Sequence, residues 1–241
     1  MKTTLLITSL NEIEGMKVIC PRIQKDWVDE IMVIDGNSTD GSIEYAESLG
    51  YRVVRQKSKG LAKAYAEAVP LVKGDIIIPF SPDGNSVPER IPELVEKMRE
   101  GYDMVIVSRY LDGAKSEDDN WFTGFGNWMF TTTINLLFGG HYTDTLVMFR
   151  AWKKELVREC QLEASTAGFE PQLAIQCAKR KLKVAEIPGD EPSRLHGIRK
   201  TNPITGGFSI LWLILKEVFT PVPPARRPEA EGEDSKQSRE T

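Results

Sequence analysis

The segment Ile76-Ile77-Ile78-Pro79-Phe80-Ser81-Pro82-Asp83-Gly84-Asn85-Ser86-Val87-Pro88-Glu89 decides the fold class expected for this chain. An apolar run ends abruptly in a turn rich in Pro, Asp, Gly and Asn, and Pro88 suits the first turn of a following helix. A buried strand that ends in a polar turn is typical of the ligand-binding edge of an open α/β sheet. The segment therefore predicts a central strand with a ligand site at its carboxyl end.

Two polar side chains in this turn are candidates for holding a metal ion. Asp83 and Asn85 stand one residue apart, so in an extended segment both side chains point to the same side. Both offer hard oxygen atoms, which suit Mg²⁺ or Mn²⁺ carried by a phosphorylated ligand. The alternative is an ordinary turn in which Asp and Asn bond to their own backbone.

Strand-like and helix-like segments alternate along the first half of the chain. This alternation predicts right-handed crossovers and a mostly parallel central sheet flanked by helices, an α/β fold. The short apolar run near the N-terminus is interpreted as the first strand rather than as a signal peptide. The predicted strands are 4–8, 30–34, 51–55, 76–80 and 104–107, and the predicted helices follow residue 12 toward 25 and cover 45–49, 60–68 and 88–99.

Three of these strands end in polar turns that carry acids or amides. The turns contain Asn11 with Glu12, Asp35, and Asp83 with Asn85. Since the carboxyl ends of parallel strands lie along one edge of a sheet, we expect these side chains to share a crevice. The crevice suits a nucleotide, whose hydroxyls an acid can bind and whose diphosphate a metal can neutralise. The chain lacks both G-x-G-x-x-G after the first strand and G-x-x-x-x-G-K-[ST], which argues against a dinucleotide-binding Rossmann domain and a P-loop NTPase.

Composition narrows the range of partners. The 241 residues carry a net charge of −4, which gives no general attraction to nucleic acid, so phosphate binding must be local. The three Cys residues are far apart in the sequence and predict neither a disulfide framework nor a zinc site. A reducing compartment is the expected location.

The second half of the chain is richer in aromatic residues. Residues 121–138 predict a helix, which is either a core helix or a flap that faces an apolar substrate or a membrane surface. Residues 143–150 are interpreted as a turn followed by a strand. Helices are predicted over 152–159 and 169–180, and a last strand over 183–188.

The C-terminal region combines basic and apolar residues. Arg194, His196, Arg199 and Lys200 precede residues 201–215, which contain no charge. This stretch is shorter than the ~20 residues of a membrane-spanning helix, so it predicts a helix that lies in a membrane interface or packs on the domain. Basic residues beside such a helix would favour anionic lipid headgroups. Residues 221–241 are expected to be a disordered tail.

Six short motifs occur in the order and approximate spacing of family 2 glycosyltransferases. They are Thr-Ser-Leu-Asn-Glu (8–12), Asp-Gly-Asn-Ser-Thr-Asp-Gly (35–41), Gly-Leu-Ala (60–62), Ser-Pro-Asp-Gly-Asn (81–85), Ser-Arg-Tyr (108–110) and Phe-Arg (149–150). Over about residues 3–200 the chain resembles the polyprenyl-phosphate sugar synthases of that family, such as the dolichol-phosphate mannose synthases. The resemblance implies a GT-A fold over residues 1–200, a nucleotide-sugar donor, a divalent metal ion and inversion at the anomeric carbon.

The resemblance also assigns roles to donor-binding and metal-binding residues. The nucleoside would be held by Thr8, Asn11, Glu12 and Asp35. Asp83 matches the metal-binding second acid of the family's Asp-x-Asp motif, and Asn85 matches the metal-facing Gln of the synthases. Ser81 stands where the family has the first acid of that motif, and Gly36 stands where it has a second Asp.

Further roles follow for residues near the acceptor. Arg109 matches an Arg that meets phosphate, and Asp144 matches the acid before the acceptor-side strand. Arg194 and Lys200 match basic positions of the loop that closes over the donor. The chain departs from the synthases in having no Arg or Lys between Lys115 and Arg150, where they usually supply a second phosphate-binding Arg.

The expected function is a metal-dependent, inverting transfer of a sugar from a GDP- or UDP-sugar to a polyprenyl phosphate. The enzyme would sit peripherally at the cytoplasmic face of a membrane through the apolar helix of residues 201–220. If the acceptor were instead a hydroxyl of a soluble glycan or small molecule, Asp144 would be the candidate for accepting its proton. The same residues also allow a metal-dependent nucleotidyltransferase, or a catalytically silent module that binds nucleotide or membrane.

Overall fold

The computed structural model describes residues 1–160, 162, 168–195 and 203–222. Within them, seven strands form one sheet in the order β3-β2-β1-β4-β6-β5-β7, and β6 alone runs antiparallel to its neighbours. The strands are β1 (Thr3–Ser9), β2 (Glu30–Asp35), β3 (Arg52–Arg55), β4 (Ile76–Phe80), β5 (Met104–Ser108), β6 (Arg150–Lys153) and β7 (Val184–Pro188). The helices are α1 (Ile13–Ile19), α2 (Ser42–Ser48), α3 (Leu61–Ala68), α4 (Ile91–Arg99), α5 (Trp121–Phe138), α6 (Leu156–Glu159), α7 (Phe169–Lys179) and α8 (Pro203–Phe219).

The central strands are buried on both faces, as the apolar runs predict. Leu5 and Ile78 pack toward a layer formed by α1, α2 and α4, whereas Leu6 and Ile77 pack toward α3, α7 and the inner side of α5 and α8. Successive side chains point to opposite faces of a strand, so one continuous apolar run serves both layers. The mostly parallel α/β fold is thus confirmed.

The predictions for residues 143–159 are wrong in detail. Residues 143–149 form a loop, β6 begins only at Arg150, and Trp152 lies in this strand instead of starting a helix. The reason is the guanidinium of Arg150, which is fully buried and donates hydrogen bonds to the carbonyls of Thr145 and Val147. These two carbonyls therefore accept hydrogen bonds from a side chain instead of from a neighbouring strand of the sheet.

Helix α5 has the predicted bounds. It begins after Asn120, whose side chain accepts hydrogen bonds from the backbone N–H groups of Phe122 and Thr123, and it ends at Gly139, whose φ is 75°. Its buried residues are only Asn127, Thr131 and Ile134, so most of its aromatic side chains face outward. One side of α5 thus packs into the core through Ile134, with Phe130 and Phe138 against it, and the other side is exposed.

Helix α8 is attached to the domain by a buried polar cluster. Its Glu217 is 2% exposed and accepts hydrogen bonds from Gln172 at 3.1 Å, from Gln176 at 2.8 Å and from Lys179 at 3.0 Å, all on α7. Ile214 is buried one turn earlier. One side of α8 thus packs on the domain, as one of the two predictions for this segment states. This packing does not test whether the other side of the helix contacts a membrane. None of the helices in the described ranges has the length and apolarity needed to cross a membrane.

Candidate active site

A polar cavity of about 540 Å³ lies at the edge of the sheet where β1, β2 and β4 end. In the register of the sheet, Ser9 pairs with Asp35 and Ile7 pairs with Phe80, so the three polar turns are neighbours as predicted. Of the predicted site residues within the described ranges, the cavity is lined by Thr8, Glu12, Asp83, Asn85, Arg109 and Arg194. Lys200 lies outside the described residues.

Two residues predicted to hold the nucleoside, Asp35 and Asn11, hold the strand-end turns together in this structure. Asp35 is fully buried and accepts hydrogen bonds from the backbone N–H and the hydroxyl of Ser38, both at 2.7 Å. Asn11, in a left-handed conformation with φ of 54°, accepts a hydrogen bond from the backbone N–H of Thr39 at 2.9 Å. Asn11 and Asp35 are not among the residues that line the cavity, so their side chains shape its wall indirectly.

The turn after β4 presents Asp83 and Asn85 to the cavity. One Asp83 oxygen accepts a hydrogen bond from the backbone N–H of Asn85 at 3.2 Å, and Gly84 between them has φ of 96°. This conformation favours glycine. The side-chain oxygen of Asn85 is buried and makes no hydrogen bond to the described residues. A buried acceptor without a donor is costly, and a cation would satisfy it.

The segment after β7 covers this turn. A guanidinium nitrogen of Arg194 lies 2.9 Å from the second Asp83 oxygen, and another lies 3.9 Å from Asp118. The backbone N–H of Leu195 donates to the carbonyl of Asp83 at 2.9 Å. Arg194 is therefore engaged inside the site. His196, Arg199 and Lys200, the other members of the predicted basic cluster, lie outside the described residues.

Arg109 is buried among acids. Its Nε and one Nη donate to the two oxygens of Asp144 at 2.6 and 3.1 Å, and the other Nη donates to Glu191 at 3.1 Å. Asp119 lies 3.5 Å away. Burial disfavours the charge of Arg109, but the charge of Asp144, the hydrogen bonds to it and the charge of Glu191 prevail and raise the pKa above its usual value. Arg109 is therefore a permanent cation, of whose five N–H groups three are already used.

Asp144 is fully buried, and its contacts do not suit a proton acceptor. Besides Arg109, the backbone N–H groups of Leu146 and Val147 donate to it, each at 3.1 Å. These bonds engage both carboxylate oxygens within the protein, and Asp144 is not among the residues that line either cavity. In this structure Asp144 therefore orients Arg109, and its predicted role as a proton acceptor stays a prediction.

The wall of the polar cavity carries more acids than bases. Two arginines, Arg109 and Arg194, face five carboxylates: Glu12, Asp83, Asp118, Asp190 and Glu191. A diphosphate would be repelled by such a wall unless a cation accompanied it. Among the described residues, no group of three His, Cys, Asp or Glu side chains is arranged so that it could hold a metal ion by itself. Mg²⁺ usually binds through one or two protein oxygens plus substrate phosphates, so Asp83 and Asn85 fit a metal of this kind.

A second, larger cavity adjoins the first. It has a volume of about 930 Å³ and lies between α3, α5 and α8, with mostly apolar walls. The two cavities share five lining residues, which we call the junction: Gly60, Leu61, Arg109, Leu146 and Met148. A molecule in the polar cavity and an apolar molecule in the larger one would therefore meet at the junction.

The outer sides of α5 and α8 form an exposed aromatic face. Its tryptophans are 62–83% exposed, which is far more than an isolated domain in water needs to expose. The two helices also contact each other. The residues of this aromatic face are Trp121, Phe125, Trp128, Phe208, Leu211, Trp212, Leu215 and Phe219.

Comparison with known proteins assigns the family. The model of glycosyl transferase family 2 matches residues 8–160, which include the turns after β1, β2 and β4 that line the polar cavity. The chain belongs to glycosyl transferase family 2. The predicted family membership and the prediction of a glycosyltransferase are thus confirmed.

Curated relatives in this family resemble the chain at moderate identity. Glycosyltransferase AglJ of Haloferax volcanii is 29% identical over 188 residues, which are 76% of this chain and 61% of that protein. A dolichyl-phosphate hexose transferase of the same organism is 29% identical over 187 residues, with coverages of 78% and 80%. A dolichol-phosphate mannosyltransferase of Pyrococcus furiosus is 28% identical over 207 residues, with coverages of 78% and 56%. The chain thus spans less than two thirds of the length of the first and third of these relatives.

Among solved structures, the chain resembles glucosyl-3-phosphoglycerate synthase of Mycobacterium tuberculosis in complex with Mn²⁺, UDP and phosphoglyceric acid. The TM-score is 0.72 at 21% identity, with coverage of 91% of this chain and 79% of that one. At this identity the likeness concerns the fold, and it confirms the GT-A prediction. The metal and the ligands belong to the synthase.

Several residues of this glycosyltransferase site were missed by sequence reasoning. Glu191 bonds to Arg109 and to the hydroxyl of Ser116, and Asp119 bonds to the hydroxyl of Tyr110. Glu186 accepts hydrogen bonds from the backbone N–H groups of Thr143 and Asp144. The four acids at 112–119 were visible as a polar loop, but only the fold brings this loop beside β7.

Proposed function

We propose that this family 2 enzyme transfers a sugar from a GDP- or UDP-sugar to a polyprenyl phosphate, with inversion at the anomeric carbon. The observation that carries the proposal is the junction, where an acid-lined polar cavity meets a large apolar cavity. A nucleotide sugar is polar and anionic, whereas a polyprenyl chain is apolar, so the two substrates match the two cavities. The names of two relatives, a dolichyl-phosphate hexose transferase and a dolichol-phosphate mannosyltransferase, support the same acceptor class.

The donor would occupy the polar cavity. Thr8 and Glu12, at the end of β1, line the wall available to the nucleoside, and Asp83 and Asn85 would hold the metal through their side-chain oxygens. Bound Mg²⁺ or Mn²⁺ supplies Lewis-acid stabilisation of the charge that develops on the leaving diphosphate. Ser81 also lines this cavity in the place of the family's first acid, so the protein contributes one carboxylate from this motif.

Arg109 would position phosphate at the junction. It lines both cavities, Asp144 and Glu191 fix its plane, and Asp119 lies 3.5 Å from the Nη that donates to Glu191. A fixed cation needs no reorganisation during the reaction, which favours charge stabilisation. Arg194 could move from Asp83 to the donor phosphates when a metal takes its place.

A polyprenyl phosphate needs no general base. Its second pKa is ~6, so at neutral pH it is largely ionised and can attack directly once it is positioned. A hydroxyl acceptor would need a proton acceptor, and Asp144 is committed to Arg109 and to two backbone N–H groups. The phosphate acceptor therefore fits the site better than the hydroxyl of a soluble glycan.

The aromatic face supports peripheral attachment to a membrane, on the cytoplasmic side where nucleotide sugars are made. Trp and Phe side chains on one face of adjacent helices are suited to the boundary between lipid headgroups and acyl chains. The apolar cavity opens between the same two helices. A polyprenyl chain could thus pass from the lipid into the cavity without crossing water.

The test is the identity of the product. The full chain would be incubated with radiolabelled GDP- and UDP-sugars, Mn²⁺ and a short polyprenyl phosphate in neutral detergent micelles. We expect the radiolabelled sugar to appear in the organic phase and to be released by mild acid. The anomeric configuration of the product should be opposite to that of the donor. Label found only on a soluble acceptor would contradict the proposed acceptor. Donor binding without turnover on any acceptor would indicate a silent binding module.

A further inference from the structure

The apolar cavity contains few charged side chains. They are Lys59, Lys63, Arg109, Asp119 and Glu170. Arg109 and Asp119 are partners in the buried cluster described above. Burial raises the pKa of Glu170 against the opposing charge of Arg150, which favours the neutral acid. Besides Arg109, the cations that line this cavity within the described ranges are Lys59 and Lys63.

Both lysines are exposed, and neither makes a hydrogen bond or ion pair within the described part of the chain. They stand on the α3 side of the cavity. Among the described residues, α5 and α8 add no cation to the opposite walls, because α5 contains no Lys or Arg and α8 has none before Lys216. An anionic group that enters this cavity would therefore meet Arg109 at the junction and the two lysines on the α3 side.

The α5 wall contributes an amide instead. Asn127 is 3% exposed and lines the cavity, and its amide lies against the Tyr110 hydroxyl, which donates to Asp119. The side-chain oxygen of Asn127 has no hydrogen-bond donor among the described residues. A buried amide whose hydrogen-bonding capacity is only partly used destabilises a protein, and a ligand in the cavity would complete its bonding.

These groups flank the junction. Lys59 precedes Gly60, which lines both cavities, and Lys63 lies one turn along α3. Asn127 adjoins Tyr110, whose sequence neighbour Arg109 also lines both cavities. We propose that the phosphate head of the acceptor binds at the junction, with Lys59, just before α3, and Lys63, on α3, on one side and the Asn127 amide on α5 on the other. This subsite rests on the proposed polyprenyl phosphate acceptor and names the residues that select its charge.

Equilibrium binding tests the subsite without turnover. Short-chain polyprenyl phosphate and the matching uncharged polyprenol would be titrated in neutral micelles while tryptophan fluorescence is followed. The parent should bind the phosphate more tightly than the alcohol. Lys63→Ala and Asn127→Leu should each weaken binding of the phosphate about tenfold, the effect of one lost hydrogen bond to a charged group, and should leave binding of the alcohol unchanged.

Two controls separate ligand binding from structure. Lys57→Ala removes an exposed lysine of the same segment, and this lysine does not line the cavity. Lys63→Arg keeps the positive charge at the proposed subsite. Both variants should bind the polyprenyl phosphate as tightly as the parent. Asn127→Leu removes a buried amide whose hydrogen-bonding capacity is only partly used, and it should raise the midpoint of thermal unfolding while it weakens phosphate binding. A variant that is more stable and yet binds less well cannot be explained by damage to the fold.

The outcomes distinguish this inference from the proposed function. If the parent binds the phosphate selectively and the variants do so equally well, the subsite is wrong even where transfer occurs. If the variants lose only their attachment to anionic vesicles and keep phosphate binding in neutral micelles, the lysines serve the lipid surface and the subsite is again wrong. If the variants lose selectivity but the parent transfers no sugar to polyprenyl phosphate, the proposed function fails while the subsite stands.

Discussion

The polar and apolar cavities share five residues but are built in opposite ways. In the polar cavity, short turns at strand ends are held by local hydrogen bonds, such as those from Ser38 to Asp35. In the apolar cavity, the walls come from α3, α5 and α8, which are far apart in the sequence. A site made of strand-end turns is therefore determined by short segments of the sequence, whereas a site made between helices depends on how distant helices are placed in the fold.

Asp144→Ala tests whether the buried partner of Arg109, the charged residue that lines both cavities, is structural. Its removal would leave Arg109 buried with less countercharge, and a buried pair broken in this way typically costs about 3–5 kcal/mol of unfolding free energy. Chemical denaturation of the parent and the variant measures the loss. Glu14→Ala, which breaks an exposed pair with Lys17, is the control and should change stability little. An unchanged denaturation midpoint with abolished transfer would restore Asp144 as a proton acceptor.

Asp83→Ala tests the polar cavity alone. The carboxylate lies in a turn and its truncation leaves no core cavity, so the fold should survive. Affinity for a nucleoside diphosphate in the presence of Mn²⁺ should fall by at least about 100-fold, since the one carboxylate of the metal motif is lost. Calorimetry measures this, with Asp26→Ala, an exposed acid at the opposite edge of the sheet, as the control. Equal affinity of the Asp83 variant and the parent for the nucleoside diphosphate would show that the metal does not bind at this turn.

Paired replacement of Trp128 and Trp212 by Ser tests the aromatic face. Both side chains are largely exposed, so their loss should leave stability nearly unchanged. Binding to vesicles should weaken at least about tenfold, because less apolar surface is buried in the interface. Flotation with neutral and anionic vesicles measures the effect, and Val18→Ser on α1 is an exposed apolar control on the other face of the sheet. Parent-like flotation of the double variant would show that this face does not contact lipid.

The features that the sequence predicts correctly fall mostly on the side of the strand-end turns, and those that it misses fall mostly on the side of the packed helices. The apolar runs, the turns at their ends and the pairing of Asp83 with Asn85 are local features, and they predicted the sheet and most of the polar cavity. Asn11 and Asp35 belong to the predicted turns, but their side chains bond to the backbone, an outcome that residue type alone does not distinguish from ligand binding. The same ambiguity gave Asp144 a catalytic role.

The helical half shows what cannot be predicted locally. The bounds of α5 follow from Asn120 and Gly139, yet which of its sides is buried depends on α8 and α7. The partners of Arg109 come from residues 119, 144 and 191, so no spacing in the sequence indicates them. The apolar run before Arg150 looked like a strand, but the carbonyls of Thr145 and Val147 accept hydrogen bonds from the Arg150 side chain, which the sequence pattern does not show.

The smallest expected effect concerns Arg194, which lies on the proposed metal ligand. Its guanidinium is 2.9 Å from Asp83, and a metal ion at Asp83 must displace it. Arg194→Ala should therefore tighten the binding of Mn²⁺ alone a few-fold, about what a partly exposed ion pair contributes. The same variant should weaken binding of a nucleoside diphosphate in the presence of Mn²⁺, because a cation that could move to the phosphates is gone. Calorimetry of Mn²⁺ with and without nucleotide measures both changes, and Arg194→Lys, which keeps the charge, should stay near the parent. If Arg194→Ala weakens Mn²⁺ alone, the arginine supports the metal turn instead of competing for it, and the acids of the polar cavity then need a different source of positive charge.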